Sequence, residues 1–229
     1  MSTYVLTGAG SGIGRLVAER LHARGDTLIL IARDDRRAAD LTAAFPGAVA
    51  VASDLADPTA LADAVAAALP EAIDGIVHAA GIVELGTVAE LPVDAWTSQL
   101  TVNLVAPAEL TRLLLPRVRA ARGQVVFVNS GAGLTAHAGW AAYAASKHGL
   151  KALADALRSE EAEHGVRVTT VYPGRTATPM QETVHAQEGA AYHPDRWIDP
   201  ESVATVILTA LDLPRDAVIS DLTVRPGPR

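Results

Sequence analysis

Short runs of Val, Ile and Leu alternate with longer Ala- and Leu-rich segments along the whole chain. Most of the short runs are continuously apolar, which is typical of strands covered on both faces. This alternation predicts an α/β doubly wound three-layer sandwich around a mostly parallel seven-stranded sheet. The strands are expected at residues 4–7, 27–32, 48–52, 73–79, 124–129, 167–172 and 217–224. The helices are expected near 13–24, 34–44, 58–69, 94–119, 140–163 and 200–212.

Several residue types mark the helix ends. A capping Asp followed by Pro occurs at Asp57 and at Asp199, Asp94 is expected to cap a third helix, and Gly25 to end one in a left-handed conformation. Residues 179–197 are the one stretch without clear structure. Long irregular segments inside compact domains are usually functional, so we expect one domain over residues 1–229 with a substrate lid at 179–197.

The bulk composition excludes several classes of function. A net charge of −7 argues against nucleic acid as a partner and requires that any anionic ligand be held locally. The lack of cysteine excludes disulfides, thiolate nucleophiles and cysteine-ligated zinc. No apolar run reaches the roughly 18 residues of a membrane span, and the first residues lack the basic region of a secretory signal. We therefore expect a cytoplasmic protein without a membrane partner.

A glycine-rich turn follows the first predicted strand and opens the first helix. Glycine lets backbone N–H groups approach a pyrophosphate, and the helix N-terminus adds unpaired donors and partial positive charge. A flexible loop is the alternative, but the strand–turn–helix setting favours a nucleotide site. Its candidate residues are Gly8, Gly10, Ser11, Gly12, Ile13 and Gly14.

A second pattern lies at the end of the fifth strand and in the helix after it. Ser130 is followed thirteen residues later by Tyr143, and Lys147 comes four residues further on the same helix face. If the nucleotide carries a nicotinamide, Tyr143 would be the general acid or base, with Lys147 and the oxidised nicotinamide together lowering the phenol pKa and Ser130 holding the substrate oxygen. A core tyrosine with a surface lysine is the alternative, which the spacing after a nucleotide turn disfavours.

With these motifs in order over nearly the full length, the sequence resembles the classical short-chain dehydrogenase/reductase family. The turn reads T-G-x-x-x-G-x-G, which is typical of that family. The resemblance implies a Rossmann fold, an NAD(P)-dependent oxidoreductase acting on a small-molecule alcohol, ketone or aldehyde, and a homotetramer or homodimer. The subunits would meet through the long helices that contain Asn103 and Tyr143.

The resemblance also implies roles for residues outside the two motifs. Asn103 would hold a water that links Lys147 to solvent, and Lys147 itself would hold the nicotinamide ribose. The further cofactor contacts would be Asp54 and Leu55 at the adenine, Ala80 and Gly81 at the ribose, and Pro173, Gly174, Thr176 and Thr178, the last at the carboxamide. Two alternatives stay open, namely that Asp54 is an ordinary turn residue and that Asn103 is a structural amide. His78 and Ala79 depart from the family's Asn-Asn, so hydrogen bonds made there by asparagine must be replaced or lost.

The residues after the second strand bear on the choice of nucleotide. An NAD site usually has a carboxylate here, whereas this chain has Ala32 followed by Arg33, whose guanidinium can clamp a phosphate. Asp34 or Asp35 could instead reach a ribose hydroxyl, and Arg33 could belong to a solvated cluster with neighbouring arginines. Similarity to NADP-preferring members of the family favours NADP(H), with NAD(H) possible.

Two other functions compete with an oxidoreductase. A non-catalytic NADP(H)-sensing regulator of the same fold would typically lose the tyrosine or lysine, and an extended epimerase or dehydratase would need a larger substrate domain. No histidine pair shows metal-ligand spacing, so no metal site is expected. We expect His137 near the pocket mouth, His185, His193 and Trp197 in substrate contact from the lid, and Trp140 in packing.

Overall fold

All seven predicted strands are present in the computed structural model, which describes residues 1–66 and 69–228. They form a single sheet in which every neighbouring pair is parallel. The strands are β1 (Thr3–Thr7), β2 (Thr27–Ala32), β3 (Val49–Ala52), β4 (Gly75–His78), β5 (Gln124–Val128), β6 (Arg167–Pro173) and β7 (Asp221–Val224). Their order across the sheet is β3-β2-β1-β4-β5-β6-β7.

The order of the strands fixes where a ligand can bind. β1 lies in the middle, and its Val5 is in register with Ile29 of β2 on one side and Ile76 of β4 on the other. The chain first builds outward from β1 to β3 and then crosses back to β4. A crevice forms outside the carboxyl ends of the strands at such a switch point.

Helices cover both faces of the sheet. They are α1 (Gly12–Ala23), α2 (Asp35–Ala44), α3 (Leu61–Ala66), α4 (Val93–Leu100), α5 (Ala106–Ala121), α6 (Ala141–Glu161), α7 (Pro179–Gln187) and α8 (Pro200–Asp212). Buried side chains of α1, α2 and α8 form one core with the sheet, and those of α3, α5 and α6 form the other. The α/β doubly wound three-layer sandwich is therefore confirmed, with a fully parallel sheet.

Most helix-end signals are confirmed. The Asp57 carboxylate accepts from the Thr59 N–H at the start of a 3₁₀ turn (Pro58–Ala60), and Asp199 caps α8. Gly25 follows α1 with a φ of +80°. The expectation for Asp94 is wrong, because α4 begins at Val93 and Asp94 lies inside its first turn.

Two other helix expectations need correction. Residues 94–119 form α4 and α5 with a π-helical turn (Thr101–Val105) between them. Residues 179–197 are not structureless, because the first half is α7 and Pro194–Arg196 form a 3₁₀ turn. Of the helix expected at 58–69, residues 67 and 68 lie outside the described residues.

Candidate active site

A cleft of about 1070 Å³ runs along the carboxyl ends of the strands. All the residues expected to contact the cofactor line it, from the glycine turn at one end to Tyr143 and Lys147 at the other. Ser130 and His137 line it as well, whereas Asn103 lies behind the wall. The sheet therefore gathers side chains from distant parts of the sequence along one continuous surface.

The glycine turn packs tightly against the next strand connection. Gly8 has a φ of +75°, and a Cβ there would lie 2.7 Å from the carbonyl carbon of Ala79. A Cβ on Gly14 would lie 2.4 Å from the carbonyl oxygen of Gly8. Ser11 is the N-cap residue of α1, and its side chain makes no capping hydrogen bond to the described residues. The first residues of α1, Gly12 to Gly14, line the cleft, and the unpaired N–H groups of a helix N-terminus are suited to bind an anion.

The end of the cleft beside β2 and α2 is lined by charged side chains of both signs, Arg33, Arg37 and Asp40. The side chain of Arg33 is 68% exposed and lines the cleft. Asp34 caps α2, because one carboxylate oxygen accepts from the Arg37 N–H at 2.8 Å, and this hydrogen bond holds the pKa of Asp34 below its usual range. Its other oxygen lies 3.5 Å from Arg33 Nε, while Asp35 does not line the cleft.

The next two strand ends supply the remaining nucleotide-side residues. Asp54 and Leu55 follow β3, and the Asp54 carboxylate accepts from the Ala56 N–H at 2.9 Å, as an ordinary turn residue does. Ala80 donates its N–H to the Thr7 hydroxyl at 3.1 Å. These bonds fix the backbone, and the contacts to adenine and ribose implied by the resemblance stay predictions.

His78 makes one side-chain hydrogen bond at the position where the chain departs from the family pattern. Its Nε2 lies 2.9 Å from the Thr111 hydroxyl, and its ring stacks on Phe127 at 5.0 Å between centroids. The side chain is buried, and its Nδ1 has no hydrogen-bond partner among the described residues. Burial lowers the pKa of His78 to about 3.

Ser130, Tyr143 and Lys147 meet at the far end of the cleft. Ser130 follows β5, and its hydroxyl accepts from the Ala132 N–H at 3.1 Å and hydrogen bonds with the Tyr143 phenol. Lys147 lies one turn after Tyr143 in α6, and its Nζ is 5.8 Å from the Tyr143 ring centroid. The Lys147 ammonium donates to the Val128 carbonyl at 3.2 Å. The spacing in the sequence thus brings all three side chains to one place.

The two titratable groups of this cluster are both buried. Burial raises the pKa of Tyr143 to about 12, and the hydrogen bond with Ser130 opposes this rise. Burial lowers the pKa of Lys147 to about 8. Among the chain's own groups, desolvation of the phenolate therefore dominates the Tyr143 pKa, and the lowering expected from Lys147 together with an oxidised nicotinamide stays a prediction.

Asn103 lies in the π-helical turn between α4 and α5. Its amide group donates to the Ile82 carbonyl at 2.9 Å and to the Ser146 hydroxyl at 3.0 Å, and its oxygen accepts from the Ile82 N–H at 2.9 Å. These bonds tie the strand β4 connection to α6 and match the structural alternative. The water-holding role of Asn103 stays a prediction.

The Pro173–Thr178 segment, at the end of β6, lines the side of the cleft that faces the glycine turn. Thr178 caps α7 with its hydroxyl 3.4 Å from the Gln181 N–H, and it donates to the Thr176 carbonyl at 3.3 Å. Its methyl carbon would be 3.2 Å from a Cβ on Gly12. The Pro173–Thr178 segment therefore packs against the glycine turn across the cleft, and its cofactor contacts stay predictions.

The substrate end differs from expectation. His185 is buried and hydrogen bonded to Gln181, and neither it, His193 nor Trp197 lines the cleft. Trp140 does line it, in addition to packing against Tyr143.

Sequence reasoning missed Arg175, which lines the cleft and makes two bonds of 2.7 and 2.6 Å to the Glu188 carboxylate. Its place directly after Pro173-Gly174, at the carboxyl end of a strand, was the available signal.

The described residues also bear on two other features, metal sites and membrane-spanning helices. Residues 1–66 and 69–228 contain no group of three or more His, Asp or Glu side chains that could hold a metal ion. In the same part of the chain, no helix is long and apolar enough to cross a membrane.

Comparison with known proteins gives consistent matches. A family model described as short chain dehydrogenase matches residues 2–189. An uncharacterized short-chain type dehydrogenase/reductase of Sinorhizobium fredii is 32% identical over 97% of this chain and 90% of its own length. The 1-deoxy-11-beta-hydroxypentalenate dehydrogenase of Streptomyces exfoliatus is 35% identical over 96% of this chain and 83% of its own. A Burkholderia thailandensis oxidoreductase structure of the short-chain dehydrogenase/reductase family aligns with a TM-score of 0.84 and 32% identity, covering 98% and 91% of the two chains.

Proposed function

The chain belongs to the short-chain dehydrogenase/reductase family, and we propose that it is an NADP(H)-dependent oxidoreductase that interconverts an alcohol and its carbonyl compound. The observation that carries this proposal is the meeting of Ser130, Tyr143 and Lys147 in a cleft whose other end is the glycine turn. The named substrate of the Streptomyces exfoliatus relative is hydroxylated, which supports the same reaction class.

The residues of the cleft fit a dinucleotide. Gly8 and Gly14 let the turn pack tightly on itself and on Ala79, and the space beside Gly10 is open, so residues of the turn can line the cleft. The N–H groups that open α1 would hold the pyrophosphate. A nicotinamide cofactor, when bound, supplies or accepts the hydride, which leaves the proton to the protein.

Tyr143 handles that proton. With a pKa near 12 in the folded chain, the phenol keeps its proton at neutral pH and can donate it to the oxygen of a carbonyl under reduction. The Ser130 hydroxyl accepts from the Ala132 N–H and hydrogen bonds with the Tyr143 phenol, so its proton would turn from the phenol to the substrate oxygen when a substrate binds.

Lys147 supports the same site through its charge. A pKa of about 8 leaves most of the side chain protonated at neutral pH. One of its three N–H donors is used by Val128, so the others can bind ribose hydroxyls. In the oxidation direction its positive charge would favour the Tyr143 phenolate.

The preference for NADP(H) rests on which charges are free at the adenosine end. Arg33 is exposed toward the cleft, whereas Asp34 already caps α2. Arg37 also lines the cleft, so a 2′-phosphate would meet two guanidinium groups, in competition with their carboxylate partners, Asp34 at 3.5 Å from Arg33 and the cleft residue Asp40 at 3.7 Å from Arg37. A guanidinium pairs with phosphate through two charge-assisted hydrogen bonds, which supports NADP(H) over NAD(H).

We further propose that residues 179–197 act as a lid on a single domain. Met180, Gln181 and Val184 of α7 line the cleft, and the Glu188 carboxylate binds Arg175 in the segment that leads into α7. Gln187 also accepts from the Leu85 N–H at 2.7 Å. The cytoplasmic location and the homotetrameric or homodimeric assembly stay predictions.

The test measures the turnover of a panel of ketones, aldehydes and alcohols through the absorbance of the reduced nucleotide. The carbonyl compounds are assayed with NADPH and NADH, and the alcohols with the oxidised nucleotides. We expect turnover, with NADPH preferred in the reductions. Tight NADPH binding without turnover of any compound would contradict the proposal and would favour a nucleotide-sensing regulator of the same fold.

A further inference from the structure

Trp140 stands between two cavities. Its half-buried indole lines the active-site cleft and also a second cavity of about 270 Å³ beside it. The second cavity is also lined by Leu85, Gly86 and Glu188. A cavity of that size falls just below the range of about 300–1,000 Å³ that accommodates a small-molecule ligand, so it would serve best as an extension of the cleft.

The indole is held firmly at this boundary. Its ring meets the Tyr143 ring edge-on, with centroids 5.8 Å apart. The Arg175 guanidinium lies 5.8 Å from the indole centroid and is fixed by the two bonds to Glu188. The residue before Trp140, Gly139, accepts from the Gly86 N–H at 2.9 Å. These contacts attach both the ring and its backbone to neighbouring elements.

We propose that Trp140 determines substrate specificity by limiting the size of the group attached to the reacting carbon, an inference that rests on the function proposed above. Because Trp140 packs against the phenol that would protonate the substrate oxygen, a substituent on that side ends at the indole. The second cavity lies on the other side of this boundary, where Trp140 and Glu188 line it, and the ion pair joins Glu188 to Arg175 in the cleft. Shortening the Trp140 side chain to the methyl group of alanine would join the second cavity to the substrate region.

The experiment compares Trp140→Ala and Trp140→Leu with wild type in NADPH-dependent reduction of 2-butanone, acetophenone and 2-acetylnaphthalene. Trp197→Ala is the matched control, because Trp197 packs on the same guanidinium at 5.3 Å but lines neither cavity. Pockets discriminate by roughly 10-fold or more for small differences in substrate size. We expect the ratio of kcat/KM for 2-acetylnaphthalene to that for 2-butanone to rise at least about tenfold in Trp140→Ala, less in Trp140→Leu, and not in the control.

A smaller rise, or an equal rise in Trp197→Ala, would overturn the inference, since the effect would then come from a loosened lid. Turnover of none of the ketones by any of the proteins would count against the proposed function. In that case a crystal structure of Trp140→Ala still decides the inference. One continuous cavity supports it, and Arg175 moved into the vacated space contradicts it.

Discussion

The buried His78 makes the stability of the fold depend on pH in a way that can be measured. The unfolded chain binds a proton at this side chain near its ordinary pKa of 6.5, whereas the folded chain does so only near 3. Below pH 6.5 unfolding therefore takes up a proton, and the free energy of unfolding falls as the pH falls toward 3. The cause is burial between Thr111 and Phe127, which leaves no water to solvate a charged ring.

The magnitude follows from these two pKa values. The slope is about 1.4 kcal/mol per pH unit once the unfolded histidine is fully protonated, so the His78 contribution lost between pH 7 and pH 5 is about 2 kcal/mol. That is a large part of the 5–15 kcal/mol by which a domain of this kind is typically stable. Carboxylates titrate in the same range, so the contribution must be isolated by comparison with a variant that does not titrate there.

The assay is urea unfolding of wild type and of His78→Asn at several pH values between about 7 and 5, with circular dichroism as the readout. The variant keeps a polar side chain but cannot take up the proton. We expect the wild type to lose about 2 kcal/mol more than the variant over this range, with equal m values. A difference between the two proteins that stays constant with pH would refute the reasoning, because the imidazole would then titrate alike in both states.

Two further predictions concern the nucleotide end of the cleft. Arg33→Ala should raise KM for NADPH by about tenfold or more while changing KM for NADH little, since a hydrogen bond to a charged group contributes roughly 1.5–3 kcal/mol. Arg36→Ala is the control, because Arg36 does not line the cleft. Equal effects of Arg33→Ala on both nucleotides would contradict the NADP(H) preference. Gly14→Ala should abolish nucleotide binding or folding, because its Cβ would lie 2.4 Å from the Gly8 carbonyl oxygen. Gly10→Ala is the control and should fold as wild type does, because the space around its Cβ is open. A Gly14→Ala protein with wild-type NADPH affinity would contradict the tight packing of the turn.

Much of the fold could be predicted because its signals are local. The apolar run of β2 has the same bounds in the sequence and in the structure, Thr27–Ala32. The capping roles of Asp57 and Asp199 need only the residues that follow them. Helix α7 was missed because its composition is polar, although Thr178 and Pro179 form a start signal at its beginning.

The features that depend on long-range packing could not be predicted. The burial of the Tyr143 phenol is set by the elements packed around it, and this burial raises its pKa among the chain's own groups. Arg175 reaches the cleft because Glu188 and two indoles from other segments hold it there. The position of His185 away from the cleft follows from its packing against Tyr192 and Trp197. None of these distances is visible in the spacing of residues along the chain.

The proton-transfer role of Tyr143 is the centre of the account, and Tyr143→Phe tests it most directly. The variant loses only the hydroxyl that hydrogen bonds with Ser130 and keeps the ring that packs against Trp140. Turnover of the best substrate from the panel should fall by about 10²–10⁴-fold, while the Kd for NADPH, measured by fluorescence titration, stays within about twofold of wild type. Activity that survives within about tenfold of wild type, roughly 1.4 kcal/mol of barrier, would contradict the assignment of Tyr143 as the acid of the reaction.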